Sequence, residues 1–369
     1  MAKALRKLYD LVVVGGGPAG AAAALRAAQQ QASVLIIEKE EAPHATPSAA
    51  WLGPAGVSLC KECGLSVRKA SAREFKGVHL HSWDLRRTTF VDDPELRGWL
   101  VDRASFDVAL LKQATGARVD ALHGAVVQNL ILAEDRVVLE LSDGREVSGR
   151  VMLIAEGVAS SAAGMANLPS AGQMREVPRC LFIQYEAKEK ETRLDVAVGA
   201  SRAGQLATIV RLGKAVSLAI TTRAAEVSLE EQFRTFCGPA LEAGLLPEGV
   251  PDEPRLRLSP GGIALDMDTH VGKRCLLIGE AGGFVAAFSN EGIYPAMRSG
   301  WIGADTALRA LQAPVLQDEL TSFGVAWRQE LADYLRMPNT DLSLLVPLVF
   351  NNEQMSRRVA RAFLLGQAF

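Results

Sequence analysis

The sequence predicts an α/β protein: a Rossmann-like domain with an inserted antiparallel β-sheet cap and a helical C-terminal tail. Three observations predict it. Residues 9–38 read as strand, glycine turn, helix and strand, the opening of a βαβ unit. Residues 179–223 alternate apolar and polar positions like antiparallel strands. An all-apolar strand at 275–278 then returns to the character of a parallel sheet.

Taken in order, residues 11–14 are a short apolar run suited to a strand buried on both faces. Pro18 suits the first turn of a helix, where a missing N–H costs nothing, and the Ala-rich stretch to Gln30 has high helix propensity. Residues 34–37 form a second buried strand, and 40–58, rich in Ala, Pro and Gly, read as a surface loop. Short strands are expected at 78–81 and 88–90, and an amphipathic helix at 102–115 with Phe106, Ala109 and Leu110 on one side. From Gly124 the pattern has period two, and an Asp143-Gly144 turn signal joins 137–141 to Glu146-Val147 as a hairpin. Residues 151–155 are again an apolar strand. Four cap strands are expected at 181–186, 194–198, 206–212 and 215–221. Ser228-Leu229-Glu230-Glu231 has the capping-box form and starts a helix. A further helix begins at Asn290, and the chain is helical from Thr321, with 342–350 its most apolar piece.

Composition narrows the function. The 369 residues are 49% apolar and 22% charged with a net charge of −2, the balance of a soluble globular enzyme; no basic block favours nucleic acid. Five cysteines without a pairing pattern suggest reduced thiols and a cytoplasmic setting. Cys60-Lys61-Glu62-Cys63 lacks the two further ligands a zinc site needs, so no metal is expected. The N-terminus imitates a secretory signal, but its glycines and proline have a better explanation in the βαβ pattern. No segment reaches the ~18 uninterrupted apolar residues of a membrane span.

That explanation is Gly15-x-Gly17-x-x-Gly20 between the first strand and helix, with Pro18 and Ala19 opening the helix. The first glycine allows the tight turn. The second lets backbone approach a pyrophosphate resting on the helix N-terminus, where free N–H groups and the helix dipole favour an anion. Glu38 follows at the end of the second strand, placed to accept from ribose hydroxyls, with Lys39 beside it. The plainer alternative is a glycine-rich turn with Glu38 merely solvated.

The stretch 9–20 with Glu38-Lys39 resembles the opening of FAD-dependent oxidoreductases. Residues 102–110 resemble the arginine-bearing helix, here Arg103, of the geranylgeranyl reductase and aromatic hydroxylase superfamily, to which p-hydroxybenzoate hydroxylase-like enzymes belong. Gly279-Glu280-Ala281-Gly282-Gly283-Phe284, followed by Glu291-Gly292-Ile293 and Ala296-Met297-Arg298-Ser299-Gly300, is the strongest match to that superfamily. The resemblance implies noncovalent FAD contacted by Gly15, Gly17, Pro18, Ala19, Gly20, Glu38, Lys39, Arg103, Val127, Gly279, Glu280, Gly292 and Ile293. It implies an FAD-binding domain in three segments (1–74, 96–165 and 255–315), a cap made of 75–95 and 166–254, and a helical region at 316–369. Glu280 and Glu156 stand where that superfamily has aspartate, and Asn290 replaces a glycine. The Tyr-x-Trp-x-Phe-Pro signature of prenyl reductases is absent, as are a family cysteine (Ala49-Ala50-Trp51 stands there) and the Trp-x-Trp-x-x-Pro of flavin halogenases. With no second GxGxxG, NAD(P)H docks transiently or another reduced carrier supplies electrons.

The expected reaction is reduction of C=C bonds in an apolar, prenyl-like substrate by hydride transfer from reduced flavin. The alternatives are a flavin monooxygenase acting on an aromatic or polyketide-like ring, and a non-redox flavoprotein. No catalytic residue is assigned. His79 and His81 alternate on a strand and read as structural before catalytic. Tyr185 either lines a substrate cavity or packs, and Trp301 and Trp327 read as helix-packing residues. In 353–365, Met355, Val359 and Phe363 lie beside Arg357, Arg358 and Arg361; such a helix suits peripheral contact with a lipid surface or packing on the cofactor domain.

Overall fold

The computed structural model describes residues 5–41, 49–117, 119–174, 177–199, 205–222, 228–338 and 342–367. The chain opens with β1 (Tyr9–Val14), α1 (Pro18–Gln29) and β2 (Val34–Ile37). β3 (Ala49–Leu52), α2 (Pro54–Glu62) and β4 (Arg73–Phe75) follow, then β5 (Gly77–Ser82), β6 (Thr88–Asp92), β7 (Gly98–Asp102), α3 (Arg103–Gly116) and β8 (Asp120–Leu122). A meander of β9 (Val127–Leu132), β10 (Val137–Leu141) and β11 (Glu146–Ile154) leads to the short α4 (Ser161–Met165). Next come β12 (Arg179–Val198), β13 (Leu206–Thr222), α5 (Leu229–Glu242) and β14 (Arg255–Leu258). The chain closes with β15 (Val271–Gly272), β16 (Cys275–Leu277), α6 (Ile293–Ala310), α7 (Leu316–Thr321), α8 (Phe323–Leu335), α9 (Leu342–Val349) and α10 (Glu353–Leu365).

The first sheet runs β15-β16-β11-β1-β2-β8, with β10 and β9 added through β11. β1 pairs in parallel with both β2 and β11, and β11 in parallel with β16. Every position from Leu11 to Val13 is fully buried, because helices cover one face and the β9–β10 ribbon with α4 the other. α1 is rich in alanine for a packing reason. A Cβ on Gly300 of α6 would sit 2.2 Å from the Ala19 carbonyl oxygen, so the two helices cross in close backbone contact that larger side chains would hold apart.

The second sheet runs β13-β12-β5-β6, with β14 paired to β12. One face packs under α5, where Phe233 and Phe236 meet Leu181, Ile183 and Ile209. The other contributes Leu194, Val196 and Val210 to a core shared with Trp51, Phe288 and Phe363. A small third sheet runs β3-β7-β4.

The expected α/β class, parallel sheet, antiparallel cap sheet and helical tail are all present. Several local expectations differ. The region expected to loop, 40–58, contains β3 and the start of α2; Gly53 and Pro54 there act as N-cap and N1 rather than as turn residues. The four expected cap strands are two long ones, β12 and β13, which stay paired through a register shift between Glu186 and Glu191. The helix expected at Asn290 begins at Ile293, because Asn290 and the glycine after Glu291 hold non-helical turns (Asn290 φ is +58°). β14 belongs to the cap sheet although the sequence division puts 255 onward in the cofactor domain, and Ala166, Leu168 and Ala171 pack beneath the first sheet rather than in the cap.

α10 buries its apolar side. Phe363 stacks on Trp51 with ring centroids 5.0 Å apart, and Arg361 pairs with Asp93 at 3.1 Å. Among the described residues no helix is long and apolar enough to cross a membrane.

Candidate functional site

Three segments far apart in sequence meet at the C-terminal ends of β1, β2 and β11. There they enclose a cleft of about 390 Å³. This is where open α/β sheets bind ligands.

The glycine turn after β1 is built by close contacts. Gly15 has φ +107°, and a Cβ on it would meet the Ala155 carbonyl oxygen at 2.3 Å; a Cβ on Gly20 would meet the Gly15 oxygen at 1.9 Å. Both glycines are required by the protein itself. Gly17 is different: an added Cβ would find no protein atom within 4 Å. It faces the cleft, and so do the first residues of α1, whose N-terminus no side chain caps. Unclaimed helix N–H groups beside open space make an anion cradle.

Glu38, buried with 5% exposure, accepts hydrogen bonds from the Gly16 N–H at 2.6 Å and the Glu40 N–H at 2.9 Å. It therefore fixes the glycine turn as well as facing the cleft. Lys39 and Val127 line the same cleft.

Arg103 enters from the first turn of α3, where Asp102 caps the helix by accepting from the Ser105 N–H at 2.9 Å. One turn on, Asp107 holds the guanidinium at 3.1 Å. Burial alone would lower the Arg103 pKa, but the charge and hydrogen bonds of Asp107, with Glu280 and Glu291 further off, raise it. This arginine stays charged and is partly committed.

The late loop runs from β16 to α6. Gly279 has φ +61°, and its N–H donates to Ser299 Oγ at 3.0 Å. His270, buried with its pKa pushed down to about 4 chiefly by burial, is neutral at ordinary pH and donates from Nε2 to the Gly282 carbonyl at 2.8 Å. These contacts fix Glu280 at the floor of the cleft. Its side chain is open to the cleft, yet protein surrounds it closely enough that burial raises its pKa, with Arg103 and Arg257 pulling the other way. The next acid, Glu291, does a different job: Oε1 accepts from the Ile293 and Tyr294 N–H groups, both at 2.8 Å, and caps α6. Asn290 holds the left-handed turn before it, a conformation asparagine tolerates better than most residues; Ser259 Oγ donates to its side-chain oxygen.

Glu156 turns to its own loop, accepting from Ser160 Oγ at 2.7 Å and the Ala162 N–H at 2.8 Å. The extra methylene relative to aspartate gives it the reach to span this turn while still lining the cleft.

A second cavity, of about 200 Å³, lies between the cleft and the cap sheet. The two share Arg103, Arg257, Glu280 and Gly292 in their walls. Trp51, Phe182, Val210 and Val285 give it an apolar part, and Thr208, Ser217, Thr221, Ser259 and Ser289 add hydroxyls.

Of the residues singled out in the sequence, Gly15, Gly17, Pro18, Ala19, Glu38, Lys39, Arg103, Val127, Glu280 and Gly292 line the cleft. Ile293 lines the second cavity. Gly20 and Gly279 are not in either wall; they close the turns behind it, Gly279 against Ala19. His79 and His81 lie elsewhere. His81 pairs with buried Asp195 at 2.8 Å, on the cap-sheet face that carries Ile209 toward α5, opposite Val210 and the cavity. Tyr185 donates to the Pro247 carbonyl at 2.9 Å and packs. Trp327 is fully buried against Phe284, and Trp301 lies under the Arg26 guanidinium. Arg257 escaped the sequence reading; its signal is the alternating Arg-Leu-Arg-Leu of β14 just before the glycine loop.

The five cysteines are buried free thiols, and burial pushes both Cys60 and Cys63 up to about 12. They supply packing rather than thiolate chemistry. Among the described residues no cluster of His, Cys, Asp or Glu could hold a metal ion.

A family model described as pyridine nucleotide-disulphide oxidoreductase matches residues 9–245. A digeranylgeranylglycerophospholipid reductase of Methanocaldococcus jannaschii is 25% identical over 287 residues, 74% of this chain and 72% of that protein. Among solved structures, a geranylgeranyl bacteriochlorophyll reductase-like protein from Thermoplasma acidophilum superposes with a TM-score of 0.73 at 17% identity, covering 97% of this chain and 96% of that one. A flavin-dependent brominase gives 0.71 at 18% identity, covering 97% and 93%. At such identities the structural likeness establishes the shared fold.

Proposed function

We propose, from the premise that the chain belongs to the pyridine nucleotide-disulphide oxidoreductase family, that it is an FAD-dependent oxidoreductase reducing C=C bonds of an apolar, prenyl-like substrate. FAD is its cofactor, and the cleft suits it: an uncapped helix N-terminus, open space over Gly17 and a fixed guanidinium await a diphosphate. The α1 N-terminus with Gly17, Pro18 and Ala19 would hold that diphosphate, Glu38 the adenosine ribose, and Glu280 the ribityl side. In this reading the first sheet and its helices hold the cofactor, and the second sheet covers the substrate.

One observation carries the assignment of reaction: a partly apolar cavity under the cap sheet, walled by Trp51, Phe182, Val210 and Val285, adjoins the cofactor cleft through Arg103, Glu280 and Gly292. When bound, FAD supplies hydride-transfer chemistry, and the protein supplies orientation and a water-poor site. Trp51, Phe182 and Val210 exclude water there; Asp107 holds Arg103, and the Ser299 and His270 contacts hold the loop that presents Glu280. Electrons come from NAD(P)H docking transiently or from another reduced carrier. The relative named for a prenyl-lipid reductase supports the substrate class.

A second reading is favoured by the small cap cavity and its five hydroxyl side chains, which suit a compact ring with polar substituents. On that reading the protein is a flavin monooxygenase. Dithionite-reduced holoprotein offered geranylgeranyl lipids without air, and NAD(P)H with small phenols in air, separates the two. Saturated lipid is expected; hydroxylated phenol without saturated lipid overturns the reductase assignment.

A further inference from the structure

Arg257 stands where the cofactor cleft and the cap cavity join, lining both. It projects from β14, opposite Cys180 of β12, and its guanidinium lies over the Phe182 ring, 4.5 Å from the centroid. A cation held over an aromatic face is oriented without being neutralised. Among the described residues no carboxylate lies within ion-pair distance of it, whereas Arg103, the other cation at the junction, is paired with Asp107. Glu280 senses Arg257 only through a longer-range charge interaction. The junction therefore holds one committed and one uncommitted guanidinium beside a partly apolar cavity.

We propose that Arg257 is a substrate-binding residue that clamps an oxyanion, so the substrate is an apolar or aromatic body carrying a carboxylate or phosphate. The planar fork of arginine binds either group through two parallel hydrogen bonds. Phe182 fixes the fork, the cap cavity takes the body, and the anion lies at the seam beside the cofactor cleft. This deepens the reading of the cap cavity as the substrate site and rests on it.

The test uses FAD-loaded protein and follows perturbation of the flavin absorbance, which needs no turnover. Two matched probe pairs separate the sources of the anion: benzoate with benzyl alcohol, and farnesyl phosphate with farnesol. At least one anion is expected to bind about tenfold or more tighter than its alcohol, as a charged hydrogen-bonding pair implies. Arg257→Met should abolish that preference while leaving alcohol binding and FAD affinity unchanged, and Arg257→Lys should keep part of it. The benzoate pair responding alone identifies an aromatic acid, and the farnesyl pair alone a prenyl phosphate; either supports the clamp. Three results overturn it: no anion preferred over its alcohol in the wild type, loss of FAD from Arg257→Met, or an Arg257→Met defect confined to NADP+ binding. The lipid and phenol product assays report on the cavity reading separately, so alcohols that bind and turn over without anion preference would sink the clamp alone.

Discussion

Tyr334 donates its hydroxyl hydrogen to Glu291 Oε2 at 3.2 Å, while the other oxygen of that carboxylate caps α6. Both side chains are buried, so α8 and α6 are tied together at the point where the second helix aims its N-terminus into the cap cavity.

Burial holds the Glu291 carboxyl at about 7 against an ordinary 4.5, with its two N–H bonds and the Tyr334 hydroxyl pulling it down. A folded-state pKa raised in this way leaves stability intact below about 4.5 and removes it as pH rises through about 7, by on the order of 3 kcal/mol in all. Thermal unfolding of wild type and Glu291→Gln at pH 5 and pH 8 isolates this group. The wild type is expected to lose ground to the variant at the higher pH; a pH-independent difference would contradict the assignment.

Gly17 and Gly20 separate ligand contact from folding. Gly17→Ala meets no protein atom and should cost the apoprotein at most about 1 kcal/mol while weakening FAD binding. Gly20→Ala drives a methyl into the Gly15 carbonyl and should cost about 1–3 kcal/mol of stability. Apoprotein denaturation paired with flavin titration reads both.

Glu280→Ala should weaken FAD binding by about 1–3 kcal/mol, the range for a lost charged hydrogen bond, and Glu280→Asp by less. Fluorescence titration giving equal affinities for wild type and the alanine variant would show that the carboxylate faces only solvent.

Asp195 is fully buried, held by His81 at 2.8 Å and Arg193 at 2.7 Å. Asp195→Ala leaves those partners uncompensated and should cost about 3–5 kcal/mol. Because the group lies on the cap-sheet face away from the cavity, FAD affinity should not change. A flavin-binding defect in folded protein would place the histidines in the site after all.

Much of the site was legible because its chemistry is local. A glycine that must take positive φ, a proline at N1 and an acid at the end of the next strand are dictated by the turn they build, and Gly15, Pro18 and Glu38 lie where the spacing put them. Asn290 was not legible in that way: the sequence placed a helix start there, the resemblance alone marked it as replacing a glycine, and its φ of +58° belongs to the turn before α6. Residues that act through distant pairing were not. Arg257 belongs to the site only because β14 pairs with β12, and nothing in Arg255–Leu258 announces that partner. β3 was missed because Ala49 and Ala50 carry little strand propensity and gain their place by pairing with β7. The role of Glu156 turned on a side-chain reach visible only once the loop had a shape.

The order of segments around the cleft also sets a timetable. Gly17 leaves the ribosome early, but Glu280 and Gly292 emerge more than 260 residues later, and β16 completes its pairing with β11 only then. At ordinary rates of synthesis the interval is on the order of tens of seconds. Through it, the apolar end of β11 waits without its last neighbour. A nascent chain is thus a poor flavin trap until nearly all of it exists, and interrupted translation yields fragments that carry the dinucleotide fingerprint but cannot close around a cofactor.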